Sequence, residues 1–278
     1  MPAAPETYRR AQAALSSRAV ADLRKVWPRL LTMRPDHVPE ALALVLAGVT
    51  DKYGSASAAL AAEWFEEMRA SAGVSGAFRA QAAALPSTER LEILSRWGIG
   101  PLFGDSPDPV AARNKVFGGL ARQVLGVGRD TLMGAIAADP SGPRYARHAS
   151  ANACAFCALL ATRGAVYWSE ASAGTVTGAN LGGADYRKAR KLDGGLTAER
   201  RSRILGGRKG RDTTQAYGDK YHDDCRCTAV PVWPGERYEE APYVKKWRDA
   251  YANAPAEPGE AIDVKKTLAS MREQLGTN

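Results

Sequence analysis

Apolar residues in the first half of the chain recur at steps of three and four positions, which is the spacing of a helix face. This spacing predicts a first helix from about residue 6 to about residue 30, which Pro28 kinks or ends, and a second over residues 39–71. A shorter helix follows Ser87, a suitable N-cap residue, and a last long helix covers residues 109–138. Four glycines are expected to weaken or bend that last helix: Gly118, Gly119, Gly126 and Gly128.

The apolar face of each helix defines the predicted core of a helical bundle. On the first helix this face comprises Tyr8, Ala11, Leu15, Ala19, Leu23, Val26 and Leu30. On the second helix it comprises Leu42, Val45, Val49, Tyr53, Ala56, Leu60, Trp64 and Met68. The large aromatic residues Trp27, Trp64, Phe65 and Trp97 are also expected in the core.

The pattern changes after Pro143, where shorter elements replace the long helices. Residues 144–148 are predicted as a strand and residues 151–162 as a short helix, which Gly164 terminates. Residues 165–168 and 228–233 are β-prone, and two short amphipathic segments lie near the end of the chain.

These elements predict an α+β fold, with a mainly helical N-terminal half and a small, zinc-stabilised α+β module in the C-terminal half. We expect a helical domain over residues 1–142, the α+β module over 143–235 and a helical tail over 236–278. The module contains little regular structure with which to build a core, and a structural metal stabilises such modules most.

All four cysteines and one of the three histidines fall in two short stretches. A C-x-x-C pair, Cys154 and Cys157, is followed downstream by H-x-x-C-x-C, formed by His222, Cys225 and Cys227. Thiolates and an imidazole at these spacings indicate a structural zinc site. Such a site takes four ligands, so one of the five is surplus. Either Cys225 and Cys227 both bind, leaving His222 outside, or His222 and Cys225 bind while Cys227 packs as a small apolar side chain.

Two other interpretations of the cysteines stay open. One or two disulfides would close the same loop in an oxidising environment. Alternatively, the cysteines are reduced and buried, and their clustering has no chemical role.

Charge separates one segment from the rest of the protein. Residues 187–211 contain ten basic and two acidic residues, which accounts for the whole net charge of +8, because the remainder has 28 of each. The segment predicts sequence-independent, salt-sensitive contact with DNA phosphates. The alternatives are a solvated loop and docking on an acidic protein face. The predicted DNA-binding residues are Arg187, Lys188, Arg190, Lys191, Arg200, Arg201, Arg203, Arg208, Lys209 and Arg211.

Composition argues against a membrane protein, since no apolar run approaches the roughly twenty residues that span a bilayer. The first residues also lack a basic segment followed by an apolar one, so we expect no secretory signal.

The C-x-x-C pair and the H-x-x-C-R-C box, followed by Pro231 and preceded by an all-helical half, resemble the MuF-type phage head morphogenesis proteins. The matching positions are Cys154, Cys157, Gly164, His222, Cys225, Arg226, Cys227 and Pro231. The resemblance is close over residues 144–234. It implies a minor capsid protein of the virion, at the portal vertex or capsid interior after assembly in the host cytoplasm. The implied partners are the portal protein, the major capsid protein or both, and the basic segment predicts contact with packaged double-stranded DNA.

Two enzyme classes are the alternatives to this structural role. Cys157, His222 and Asp223 or Asp224 have the composition of a cysteine-protease triad, but that assignment leaves the other cysteines unexplained. A zinc nuclease needs an open coordination position, whereas a thiolate-rich ligand set favours a closed structural site. We therefore expect a protein without catalytic residues, and a phage-encoded hydrolase is the alternative.

Overall fold

The computed structural model describes residues 3–103, 105–166, 226–255 and 263–277, together with the backbone of residues 175–176 and 215–216. The described residues divide into two compact units, one that runs to Ser141 and also includes Arg226, and one that begins at Gly142 and includes the described residues from Cys227 onwards. The part of the chain that is described contains no helix with the length and apolar character needed to cross a membrane.

Four helices build the first unit, as the periodicity predicts. They are α1 (Pro5–Leu31), α2 (Val38–Ser71), α3 (Thr88–Ile99) and α4 (Pro109–Ala138), with a 3-10 turn at Gly100–Leu102. Ser87 caps α3 by accepting a hydrogen bond from the amide of Arg90, at 3.2 Å. The helix α1 continues through Pro28 to Leu31, so the proline lies in its last turn and does not end it.

The buried face of α1 differs from the predicted one. The structure buries Tyr8, Gln12, Ser16, Ala19, Leu23, Trp27 and Leu30, so two polar residues take the place of Ala11 and Leu15. The amide nitrogen of Gln12 donates to the hydroxyl of Tyr8 at 2.9 Å and to the carbonyl of Ser57 at 3.0 Å. The Ser57 hydroxyl donates to the Gln12 side-chain oxygen at 2.6 Å, so these buried polar groups satisfy one another.

Glycines of α4 allow neighbouring elements to approach its backbone. A Cβ placed on Gly128 would lie 2.5 Å from the Ser57 hydroxyl oxygen and 2.9 Å from the Gln12 amide nitrogen. A Cβ on Gly119 would lie 2.3 Å from a methyl carbon of Leu94 on α3. Despite its glycines α4 is continuous over thirty residues, and Gly119 and Gly128 are positions of close packing.

Charged groups also connect the helices. Asp22 of α1 accepts hydrogen bonds from Lys25 at 2.7 Å and from Tyr53 of α2 at 2.6 Å. These two interactions, that with Lys25 foremost, hold the pKa of Asp22 well below its usual range. Near the other end of α2, the buried Arg69 forms an ion pair with the fully buried carboxylate of Asp139, at 3.0 Å.

The prediction that Trp97 belongs to the core is wrong. Its side chain is 47% exposed, and the ammonium of Lys115 lies 4.8 Å from its ring centroid. Trp27, Trp64 and Phe65 are buried as expected.

Short elements form the second unit. Its described helices and longer strands are β1 (Arg144–His148), α5 (Ala155–Ala161), β4 (Thr228–Val232), α6 (Val244–Ala252) and α7 (Val264–Leu275). A further antiparallel pair joins β2 (Thr175–Val176) and β3 (Gln215–Ala216). Strands β1 and β4 pair antiparallel from Arg144 opposite Val232 to His148 opposite Thr228. Of the β-prone residues 165–168, residues 165 and 166 lie outside any strand, and the other two are outside the described residues.

We predict that two substitutions on α4 have opposite effects on stability. Gly128→Ala should lower the free energy of unfolding by about 1–3 kcal/mol, because the new methyl group overpacks the buried Gln12 and Ser57. Gly126→Ala is the matched control: a Cβ there has no neighbour within 4 Å, so the higher helix propensity of alanine should add up to about 1 kcal/mol. Urea denaturation of the full chain followed by circular dichroism measures both, and equal effects would contradict the packing role.

Candidate functional site

The candidate site begins at the N-terminus of α5, where the C-x-x-C pair lies. Cys154 is the N-cap residue of α5, in extended backbone conformation, and is half-buried. Cys157 lies on the first turn of the helix and is 3% exposed. Gly164 adopts a positive φ of 64° after the helix, which agrees with the predicted termination there.

The second part of the site is positioned by the β1–β4 ladder. Cys227 directly precedes β4, and its neighbour Thr228 pairs with His148 at the end of β1. Because β1 leads within a few residues into α5, this register carries Cys227 towards the helix. The Sγ atoms of Cys157 and Cys227 lie 3.0 Å apart, and both side chains are buried. Two stretches separated by seventy residues therefore meet at a thiol pair.

The distance between the two sulfur atoms fits more than one chemical state. Zinc–sulfur bonds of about 2.3 Å at a tetrahedral angle place two thiolates about 3.8 Å apart. A disulfide bond is about 2.05 Å long. A change of about 1 Å or less in the sulfur–sulfur distance reaches either state, so this pair fits a zinc site and a disulfide equally.

The other predicted ligands are placed differently. Within the described residues, no group of three or more His, Cys, Asp and Glu side chains is positioned to hold a metal ion. Cys154 therefore does not form such a group with Cys157 and Cys227. His222 and Cys225 lie outside the described residues, and so do all ten predicted DNA-binding residues between 187 and 211.

Sequence reasoning missed a contact of His148 beside the cysteine pair. The histidine is buried, and its Nδ1 atom lies 3.1 Å from the hydroxyl of Tyr238. Burial, reinforced by the charge of Glu240, raises the pKa of Tyr238. The Tyr243 hydroxyl donates to the carbonyl of Ala149 at 2.7 Å. Both tyrosines thus attach the segment before α6 to the end of β1, close to Thr228 and Cys227.

Comparison with known proteins identifies similar sequences. A family model with the description VG15 protein matches residues 2–254. A relative, the Gene 15 protein of Mycobacterium phage D29, is 28% identical over 188 residues, which are 60% of this chain and 61% of the relative. The chain thus matches about three fifths of the length of that curated relative. No solved structure matches.

We predict that the protein, purified under reducing conditions, carries one zinc ion per chain, as measured by elemental analysis. Cys157→Ser and Cys227→Ser should each abolish zinc binding and lower the melting temperature, because an incomplete thiolate set binds zinc weakly. His222→Gln tests whether the imidazole is a ligand. The matched control is His37→Gln, since His37 is an exposed residue of the other unit.

Mass spectrometry of the same samples separates the remaining states. A metal-free protein that is lighter by two hydrogens, with Cys157 joined to Cys227, would replace the zinc assignment by a disulfide. A metal-free protein with free thiols would contradict both assignments.

Proposed function

Since the chain belongs to the VG15 protein family, whose model matches residues 2–254, we propose that it is a minor structural protein of a tailed-phage head. In this proposal it acts at the portal vertex or in the capsid interior, during head assembly and in DNA packaging or ejection. Its partners are the portal protein, the major capsid protein or both. It is assembled in the host cytoplasm and resides in the virion.

The contact between Cys157 and Cys227 is the observation that carries this proposal. The resemblance to MuF-type head proteins depends on a C-x-x-C pair and an H-x-x-C-R-C box acting together. The 3.0 Å contact supports this, because it joins a member of the first motif to a member of the second. The phage origin of the related Gene 15 protein supports the same assignment.

The burial of Cys157 supports a structural rather than an enzymatic role. A nucleophilic thiol must reach its substrate, whereas this side chain is 3% exposed and faces a second thiol. The histidine and aspartates of the alternative protease triad lie outside the described residues. A Cys157→Ala variant separates the two roles: in a structural protein it loses stability, whereas full stability with loss of proteolysis would favour the hydrolase.

We expect the chain to be incorporated into phage heads. Portal, scaffold and capsid proteins of the phage that encodes it can be co-expressed with the chain, and particles purified by density gradient. The chain should co-sediment with the particles, and omission of the portal protein should remove it if docking is at the vertex. A tagged unrelated protein of similar charge, co-expressed in the same way, is the control. Absence of the chain from particles in both experiments would contradict the proposal.

The basic segment 187–211 supplies the second part of the proposal, which is contact with packaged DNA. Its ten basic residues account for the entire excess positive charge of the chain. Phosphate contacts of this kind bind any sequence and weaken steeply with salt, because bound counterions are released from the DNA.

We predict that the full chain shifts duplex DNA of arbitrary sequence in a gel at low salt and much less at higher salt. Lys188→Gln with Lys191→Gln should reduce the slope of log affinity against log salt by up to about 2, since each lost phosphate contact contributes about 0.9. The matched control is Lys265→Gln with Lys266→Gln, two exposed lysines of α7. Equal effects of the two double variants would contradict a specific role for the segment.

A further inference from the structure

A groove runs between α1 and α4 on the surface of the first unit. Each helix lines it with one stripe at positions i, i+3, i+4 and i+7, and the groove volume is about 610 Å³. The α1 stripe is Ser17, Val20, Ala21 and Arg24, and the α4 stripe is Asn114, Phe117, Gly118 and Ala121. Ser16 and Arg226 complete the lining.

The groove exists because its central side chains are small. Ser17 and Ala21 on α1 face Gly118 and Ala121 on α4, so both backbones lie near the surface. Below them, the ring of Phe117 is buried and packs edge-on against Trp27, with ring centroids 5.5 Å apart. The helices therefore remain in contact in the core while an open channel with a partly apolar floor remains outside.

The charges at the groove are positive. Arg24 and Arg226 line it, and no carboxylate does so among the described residues. Neither arginine has an ion-pair partner within the part of the chain that the structure describes, whereas Asp22 on α1 is engaged by Lys25 and Tyr53. The Arg24 guanidinium lies 5.9 Å from the Phe117 ring centroid, above the apolar floor. Arg226 is also the arginine of the H-x-x-C-R-C box, for which the cysteine cluster provides no role.

We propose that this groove binds an acidic amphipathic helix of a partner protein. Small residues of that helix would pack on Phe117 and between the two stripes, and its carboxylates would pair with Arg24 and Arg226. The stripes from Ser17 to Arg24 and from Asn114 to Ala121 each cover seven residue steps, or about 10 Å, so they match two turns of a docked helix.

Other occupants fit the groove less well. A DNA duplex needs many phosphate contacts for useful affinity, and the groove offers two cations. The chain's own segment 187–211 has a net charge of +8 and would be repelled by Arg24 and Arg226. An acidic helix fits both the length of the channel between the two stripes and the positive charge of Arg24 and Arg226. The groove is a different surface from the cysteine cluster. Under the proposed function, the head protein that binds there would present an acidic amphipathic helix.

Two synthetic peptides test the proposal with the full-length chain. Each has about 18 residues, long enough for measurable helicity, and carries one alanine stripe flanked by glutamates in one peptide and by lysines in the other. Titration followed by NMR should show that the glutamate peptide binds at least tenfold more tightly. Equal binding of both peptides, or binding of neither, would overturn the proposal, and so would displacement of the glutamate peptide by a short DNA duplex.

Variants of the groove make the test specific. Ala21→Trp should weaken binding of the glutamate peptide at least tenfold by filling the channel, whereas Ala59→Trp, at an exposed position of α2, should leave it unchanged. Arg24→Glu should remove the preference for the glutamate peptide, since one charge of each sign then lines the groove. Arg24→Glu with Arg226→Glu should reverse the preference in favour of the lysine peptide, a result that a misfolded protein would not give. Unchanged binding by Ala21→Trp and Arg24→Glu would overturn the proposal. The peptides contain no phage sequence, so their binding does not depend on the role of the chain in phage heads. Loss of peptide binding and absence of the chain from particles are therefore separate results.

Discussion

The contact between Cys157 and Cys227 joins the first turn of α5 to the residue before β4, and with them the two cysteine stretches of the C-terminal unit. The described elements of that unit are a seven-residue helix, two five-residue strands and two short helices. A covalent or metal link between these two thiols, across a loop of seventy residues, would restrict the unfolded chain and would contribute about 4 kcal/mol in the entropic model. A link of that size is a large part of the stability of an ordinary small domain.

The sequence predicted the positions of the helices well but their buried faces less well. Helix length follows from apolar periodicity, which is a property of the whole face. Where two helices approach closely, however, the contact is made by small or hydrogen-bonded residues, and Gln12 and Ser57 are buried for that reason. A pattern based on apolar residues therefore placed Ala11 and Leu15 in the face instead. The same reasoning explains Gly128, whose missing side chain makes room for Gln12.

The candidate site was partly predictable, because cysteine spacing is a chemical signal independent of secondary structure. It predicted that two distant stretches meet, and among the described residues the structure brings Cys157 into contact with Cys227. Cysteine spacing could not show that Cys154, the N-cap residue of α5, does not form a group of three ligands with Cys157 and Cys227. Nor could it reveal that Tyr238 and Tyr243 hold the end of β1, because single hydrogen bonds between distant residues leave no periodic pattern. Trp97 was misjudged because an exposed ring beside Lys115 has the same spacing as a core residue.

The glycines of α4 also bear on the order in which the first unit folds. That helix contains five glycines, and each costs about 1 kcal/mol of intrinsic helicity relative to alanine. In isolation the segment is therefore a poor helix, even though it packs against α1, α2 and α3 in the native state. We expect α1 and α2, which are close in sequence and rich in alanine, to associate early, and α4 to become helical as it docks on them. Its conformation is then acquired from its neighbours, which makes the unit a cooperative whole rather than an assembly of autonomous helices.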